Sequence, residues 1–194
     1  MKVRARLYNG NMNLMQNIVR RDASIYGFEG LIVVPVVESG QQMIGETELG
    51  YASAKVTEDM VEAWGVTADE VIDAAIDSID YTIETVKQAL IETMGMDDIP
   101  REILDAMIPD APMLVVSNPT KYYGASSIIP ATKELIKRFP NGFRVLPSSV
   151  HEVLVVPMED GGDSKNLNEI VNQVNANVLK ASDFLSNDVY EFTE

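Results

Sequence analysis

Hydrophobic residues in the first third of the chain occur in runs that are typical of strands. The run FEGLIVVPVVE, residues 28–38, is rich in β-branched residues and predicts a buried strand. Proline cannot donate a hydrogen bond to a sheet, so Pro35 indicates that this strand lies at an edge or bulges there. Residues 39–50 are mostly polar and include three glycines, which predicts a loop or loose hairpin before a return strand over 51–57. The apolar spacing within 11–20 predicts a short helix.

Two short helices are marked by residues that favour helix ends. The Thr57 hydroxyl can cap a helix that ends at Trp64, because Gly65 then provides a C-terminal stop. Pro100 occupies the favoured first position of the other helix, which extends through Met107.

A longer helix is predicted between these two. Thr67 and Glu70 have the spacing of a capping box, and apolar residues then recur every three or four positions as far as Leu90. We therefore expect one long amphipathic helix over 67–93. Its polar side would carry much of the negative charge of the chain, from Asp69, Asp73, Asp77, Asp80 and Glu84.

Strands and helices alternate in the second half of the chain. The predicted strands are 113–118, 143–149, 152–158 and 188–192, the predicted helices are 125–139 and 166–179, and 182–186 is a turn. The two middle strands are joined by so few residues that they must be antiparallel. We therefore expect an α+β fold with a central, mainly antiparallel sheet covered by helices. A length of 194 residues fits a single domain, with an N-terminal part over 1–50 and a core over 51–194.

The composition excludes several classes of site. The chain has no cysteine, which excludes structural disulfides, thiolate nucleophiles and cysteine-bound zinc. It has no apolar run near the ~20 residues of a membrane span and no signal-peptide pattern, so we predict a cytoplasmic protein that does not associate with membranes. The acidic turn EDGGDS, residues 159–164, lacks the ligand order of a calcium loop. We predict no metal site and no cofactor.

The formal net charge of −15 is unevenly distributed. Residues 1–21 hold five basic residues and no acid, whereas residues 22–100 hold 17 acids against Lys55 and Lys87. Such a negative field repels phosphates, so direct binding of DNA or RNA is not expected. The field can attract a basic protein partner or support self-association. The alternatives are a solvated acidic surface that maintains solubility, or imitation of nucleic acid by an anti-defence protein of a mobile element.

One segment carries the only histidine of the chain. In LPSSVHEVLVVP, residues 146–157, His151 follows Ser149 by two positions, so both side chains can lie on one face of a strand, while Glu152 points to the other. A hydrolase could use His151 to take the proton of the Ser149 hydroxyl. The alternative is that Pro147 and the two serines form a bend, with His151 bonded to the backbone where the next strand starts.

A further candidate is an anion-binding turn in SNPTKYYGASS, residues 117–127. A loop with Lys121 and Gly124, followed by a helix start with Ser126 and Ser127, would place free amides and an ammonium near one anion. The spacing differs from that of a P-loop. The alternative is an ordinary strand-to-helix turn in which the serines cap the helix.

Four segments occur in the order found in a bacterial family of unknown function. They are AWGVTADEV, MLVVSNPTKYYGAS, LPSSVHEVLVVP and VNANVLKASDFLSNDVYEF. Over roughly residues 57–194 the chain resembles domain of unknown function 5688, with PSSxHEV and LSxxVY as the most specific patterns. The resemblance implies a bacterial cytoplasmic α+β protein and brings no known activity. Compared with the family, we expect a shorter N-terminal part and an unusual loop at 39–50.

Three functions are compatible with the sequence, and we favour the first. It is a non-enzymatic binding or interaction domain that assembles with a protein partner or a second copy. The second is a hydrolase-type enzyme centred on Ser149 and His151. The third is an acidic mimic of nucleic acid, which requires helix carboxylates spaced like the phosphates of a duplex.

Overall fold

The chain contains two compact units, the N-terminal unit Met1–Asp80 and the C-terminal unit Tyr81–Glu194. The computed structural model describes residues 2–44, 48–96, 98–107, 110–147, 149–160, 169, 180 and 182–193. Each unit has its own antiparallel sheet and its own helices, so the predicted α+β class is confirmed, with two sheets in place of one central sheet. The single domain over 1–194 stays a prediction.

The N-terminal unit is built around one long central strand. Its strands are β1 (Lys2–Asn9), β2 (Arg21–Asp22), β3 (Leu31–Ile44) and β4 (Glu48–Lys55). β3 pairs with β1 along one edge and with β2 and then β4 along the other, always antiparallel. The hairpin predicted for this part of the chain is therefore confirmed, with longer strands than expected. The sheet contributes much of the buried core, including Leu7, Leu31, Val33, Val34 and Val36.

Pro35 lies inside a strand that has partners on both sides, so the prediction that it marks an edge is wrong. Its carbonyl accepts a hydrogen bond of 2.9 Å from Val56 N, on the side where pairing passes from β2 to β4. On this side of β3, the pairing with β2 ends at Val33 and the pairing with β4 begins at Val36. Pro35 lies between them, where no partner needs a hydrogen bond from its missing N–H. The irregularity in pairing lies farther along β3, between Glu38 and Gln41.

The helix predicted over 11–20 is wrong, because these residues form a turn and an extended segment. Ile18 and Val19 are both buried, at 5% and 4% exposure, whereas Met15 is 68% exposed. Ile18 forms an isolated bridge with Thr57, and Val19 N donates to Val56 O. Pairing with residues far along the chain therefore replaces the local bonds that a helix would need.

The predicted helix ends near residue 60 are confirmed. Helix α1 covers Glu58–Trp64, with the Thr57 hydroxyl accepting from Met60 N and Gly65 in the left-handed region at φ 68°. Helix α2 covers Ala68–Asp77 and begins with the predicted capping box between Thr67 and Glu70. The Glu70 carboxylate accepts hydrogen bonds from the amide and the hydroxyl of Thr67, and these bonds lower the pKa of Glu70.

The long helix predicted over 67–93 is wrong, because α2 ends at Asp77. Strand β5 (Thr82–Thr85) and helix α3 (Val86–Thr93) follow it in the C-terminal unit. The sequence TIETV is rich in β-branched residues, which favour strands over helices. The Thr85 hydroxyl accepts from Gln88 N, and the Gln88 side chain accepts from Thr85 N, so a second capping box starts α3.

The acidic residues expected on one helix face are consequently distributed over several elements. Asp69 and Asp73 on α2 both bind Arg21 of β2, whereas Glu84 on β5 lies 3.4 Å from Lys121 Nζ. Among the described residues, the single helical array of carboxylates that mimicry of nucleic acid would require is absent.

The C-terminal unit is a five-stranded antiparallel sheet with three described helices. Its strands are β5, β6 (Leu114–Ser117), β7 (Phe143–Leu146), β8 (Val153–Pro157) and β9 (Tyr190–Phe192), in the order β5-β6-β8-β7-β9. The helices are α3, α4 (Arg101–Met107) and α5 (Ile128–Arg138), and a short 3-10 helix, Gly124–Ser127, precedes α5. These strands and helices agree with the prediction for 100–158 and 188–192.

The antiparallel pairing of β7 and β8 is confirmed by a register in which Val145 lies opposite Val155. The helix predicted over 166–179 lies almost entirely outside the described residues. Within the described part of the chain, every helix is too short or too polar to cross a bilayer.

Candidate functional site

Two connections of the C-terminal unit meet at His151. One joins β7 to β8 and contains His151, and the other leads from β6 to the short 3-10 helix. The Ser117 hydroxyl donates to His151 O over 2.7 Å, and Ala125 N donates to Val150 O over 3.1 Å. The backbone N–H of Tyr123 donates to Nδ1 of the imidazole over 3.2 Å. The histidine therefore binds the neighbouring connection through both its backbone and its side chain.

The bonds of the His151 ring determine which nitrogen carries the proton. Nδ1 must offer its lone pair to Tyr123 N–H, so the neutral ring carries its hydrogen on Nε2. Nε2 lies 3.8 Å from Asp183 Oδ1 and the side chain is 31% exposed. Protonation of the ring would place an Nδ1–H against the Tyr123 N–H, so the observed bond belongs to the neutral form.

Ser149 lies beside His151, as the sequence suggested, but the contact is with the backbone. Its hydroxyl oxygen accepts from His151 N over 3.0 Å, and its own N–H donates to Glu152 O over 3.2 Å. In a serine hydrolase the hydroxyl donates to a free imidazole nitrogen. Here Nδ1 already accepts a hydrogen bond and Nε2 holds the proton of the neutral ring. This arrangement supports the bend with backbone bonding that the sequence offered as the alternative.

Gly124 makes the close approach of the two connections possible. A Cβ atom at this position would lie 2.2 Å from Ser117 Oγ and 2.6 Å from both Asn118 N and His151 O. Two of these three atoms belong to the backbone and cannot rotate away. Gly124, a candidate for anion binding in the sequence, thus also allows the two connections to pack closely.

Asn118 organises the loop that carries the two tyrosines. Its side-chain oxygen accepts from Thr120 N over 3.1 Å, and its side-chain nitrogen donates to Tyr122 O over 2.9 Å. Lys121 and Tyr123 adopt left-handed backbone angles, at φ 53° and φ 50°, which cost non-glycine residues about 1 kcal/mol each. This role of Asn118 was not predicted from the sequence, although an asparagine followed by Pro-Thr after a strand is a turn signal.

Two tyrosines and the imidazole form an aromatic cluster where the two connections meet. The ring centroids of Tyr122 and Tyr123 are 4.7 Å apart, and those rings lie 5.6 Å and 5.5 Å from the His151 ring. Tyr122 is 40% exposed. The cluster presents an apolar ring next to a partly exposed imidazole and the Asp183 carboxylate.

The residues predicted to bind an anion are distributed between different environments. Lys121 forms ion pairs with Glu92 and Glu84, and the bond to the Glu92 carboxylate raises the pKa of the lysine. Ser126 and Ser127 are 3% and 0% exposed in the 3-10 helix. Two carboxylates therefore balance the charge of Lys121, and the hydroxyls of the serines lie in the interior.

The described residues contain no group of three or more His, Asp or Glu side chains placed to hold a metal ion. Asp183, whose Oδ1 lies 3.8 Å from the His151 Nε2, was not predicted from the sequence. No local signal could have identified it, because it reaches the histidine only when Val150 N donates to Asp183 O over 2.9 Å.

We expect His151→Ala to reduce the free energy of unfolding by about 1–2 kcal/mol, because the Tyr123 N–H loses its acceptor. His151→Asn should retain most of the stability, since its side-chain oxygen can occupy the position of Nδ1. Urea denaturation followed by circular dichroism measures both. Because the chain has one histidine, the ring ¹⁵N shifts report the tautomer without assignment. A ring protonated on Nδ1, or equal losses in the two variants, would contradict this geometry.

The comparison with known families identifies the chain. The model of the family of unknown function DUF5688 matches residues 40–194, which is most of the chain, so the chain belongs to this family. The match confirms the resemblance and extends it upstream from residue 57 into β3. No curated protein and no solved structure matches the chain.

Proposed function

We propose that this member of the family is a non-enzymatic domain of the bacterial cytoplasm that binds another protein. The observation that carries the proposal is the bonding of the His151 ring and the Ser149 hydroxyl. Nδ1 accepts from the backbone, and the serine oxygen accepts from His151 N. The neutral ring has no free lone pair with which to activate a nucleophile. His151 and Ser149, the candidate catalytic residues, thus stabilise the conformation of the two connections.

The basic residues near the N-terminus are engaged within their own unit. Arg4 lies 3.7 Å from Asp80 Oδ2, Arg6 lies 2.9 Å from Glu38 Oε1, and Arg21 lies 2.8 Å from Asp69 Oδ1. Three of the five charges of the basic segment are therefore already matched. Fewer basic residues are then available to bind the acidic residues of a second copy. This favours binding of a different, basic protein over self-association.

Size-exclusion chromatography with light scattering tests the proposal. We expect the purified chain to form a defined complex with a purified partner recovered by pulldown, and the complex to dissociate as salt is raised. The matched control is a pulldown at high salt. A strict monomer at low and high salt, with no partner that re-forms a complex from purified components, would contradict the proposal.

The alternative function, a hydrolase that uses Ser149 and His151, has its own expected outcome. A fluorophosphonate probe, which reacts with activated serines, should label the wild-type chain no more than Ser149→Ala. Denatured wild-type chain serves as the control for background labelling. Labelling of the wild-type chain that disappears in Ser149→Ala would show an enzyme instead. Such labelling should also decrease as the pH is lowered, because a protonated imidazole cannot act as a general base.

A further inference from the structure

We infer that helices α3 and α4 bind a basic amphipathic helix of the partner protein. The inference rests on the proposed function and specifies where and how binding occurs. The α3–α4 surface is defined by the exposed apolar side chains Leu90, Met94, Ile103 and Met107, together with the acids around them.

Each of the two helices carries a pair of exposed apolar side chains. Leu90 and Met94 are one turn apart at the end of α3, and they are 40% and 59% exposed. Ile103 and Met107 are one turn apart on α4, and they are 49% and 56% exposed. Side chains four positions apart lie on the same face of a helix. Both helices thus present an apolar stripe to solvent.

α3 also contributes little to the core of its own unit. None of its residues is buried, and of the described α4 side chains only Leu104 is buried, at 6% exposure. Amphipathic helices are normally stabilised by burying their apolar side. The exposed stripes are therefore better explained by an apolar partner than by folding of this unit.

The charge around the stripes determines the kind of partner. Residues 84–110 contain seven acids and two basic residues, Lys87 and Arg101, and Lys121 from outside this segment pairs with Glu84 and Glu92, so an excess of acids remains. Lys87 pairs with Asp105 and Asp110, and the bond to Asp105 raises the pKa of the lysine. The ammonium is thus already neutralised by its own unit. An apolar stripe bordered by carboxylates complements a segment with lysine or arginine beside its apolar side chains.

Two methionines on the surface suit a helical ligand. Met94 and Met107 have flexible, polarisable side chains, which adapt to the shape of an apolar partner. A second copy of this chain is a poor occupant, because each copy carries a net charge of −15 and three of its N-terminal arginines are already paired. The occupant is therefore a basic amphipathic helix of another protein.

A pair of synthetic peptides tests the inference on the full chain. One is a helical peptide of leucine and lysine, and its matched control has glutamate in place of lysine. Fluorescence anisotropy at physiological salt should show binding of the lysine peptide only. Met94→Gln combined with Met107→Gln should weaken binding about tenfold, because both substitutions remove apolar contact area.

A control variant distinguishes binding at the α3–α4 surface from nonspecific binding to exposed apolar side chains. Ile136 on α5 is 47% exposed and next to Lys137, so Ile136→Gln removes an equally exposed apolar side chain from a basic neighbourhood. Binding should be unchanged in this variant. Glu102→Gln with Asp110→Asn should weaken binding of the lysine peptide and make it less sensitive to salt.

The inference would be overturned by no binding of the lysine peptide, by equal binding of both peptides, or by an unchanged affinity in the methionine variant. If the methionine variant still forms the complete complex with a natural partner, the partner binds elsewhere and the proposed function stands. If neither the peptide nor any purified protein binds the wild-type chain, the proposed function fails as well.

Discussion

Gly124→Ala should reduce the free energy of unfolding by about 3 kcal/mol, at the upper end of the cost of overpacking. The added Cβ would lie 2.2 Å from Ser117 Oγ and 2.6 Å from His151 O. The Ser117 hydroxyl also donates to this carbonyl, so relieving the contact would break the 2.7 Å bond that joins the two connections. Gly124 has an ordinary backbone conformation, so the loss is attributable to the contact alone.

Gly95→Ala is the matched control for this substitution. A Cβ at Gly95 would meet no atom within 4 Å, but φ is 61°, so we expect a loss of about 1 kcal/mol from backbone strain alone. Urea denaturation followed by circular dichroism measures both variants. The fluorescence of Trp64, the only tryptophan, is unsuitable because it lies in the N-terminal unit. Equal losses in the two variants would show that the two connections are not closely packed around Gly124.

Phe143→Ala should cost about 3–5 kcal/mol, which is typical when a large buried ring is removed. Phe143 lies on β7 with 0% exposure, and its ring stacks on Phe192 of β9 with centroids 5.0 Å apart and planes 7° apart. The Phe139 ring lies 6.2 Å away. The substitution would therefore remove the ring contacts of Phe143 with Phe192 on β9 and with Phe139 at the end of α5, while the backbone pairing of β7 with β9 remains.

Phe143→Leu is the control, because it retains most of the buried volume and should lose only about 1.5 kcal/mol. Protection of the β7 and β9 amides from hydrogen exchange, measured by NMR, should fall further in Phe143→Ala than in Phe143→Leu. A loss below about 1 kcal/mol in Phe143→Ala would mean that the pocket collapses around the alanine. The packing of β9 would then not depend on the ring stack.

Several elements of the fold could be predicted because their signals are local. The caps at Thr57 and Thr67 and the stop at Gly65 depend on hydrogen bonds between residues at most a few positions apart. The strands β6, β7 and β8 were predicted from short apolar runs, and the antiparallel pairing of β7 with β8 followed from the length of their connection. The caps and the β7–β8 connection join residues that are close together in the sequence, and β6 was recognisable because its apolar run is itself a local signal.

The prediction of one long helix over 67–93 was wrong because the helical spacing of apolar residues continues beyond α2 into β5 and α3. Ile83 has the spacing of the helix, but it lies in β5 opposite Val116 of β6. The β-branched run and the second capping box at Thr85 were visible in the sequence. Residues 82–85 form a strand and not a helix because β6, about 30 positions away, supplies their hydrogen bonds. The local signals alone could not show that this partner was present.

The α+β class, the family and the ends of the short helices could be predicted from the sequence, since these depend on local hydrogen bonds and on residue order. The groups that face the His151 ring, in contrast, are visible only in the folded structure. Its Nδ1 accepts from Tyr123, 28 positions away, and Asp183 approaches Nε2 from a third segment. A histidine's chemistry depends on which groups face its two nitrogens. Those groups come from distant parts of the chain, and only folding brings them together.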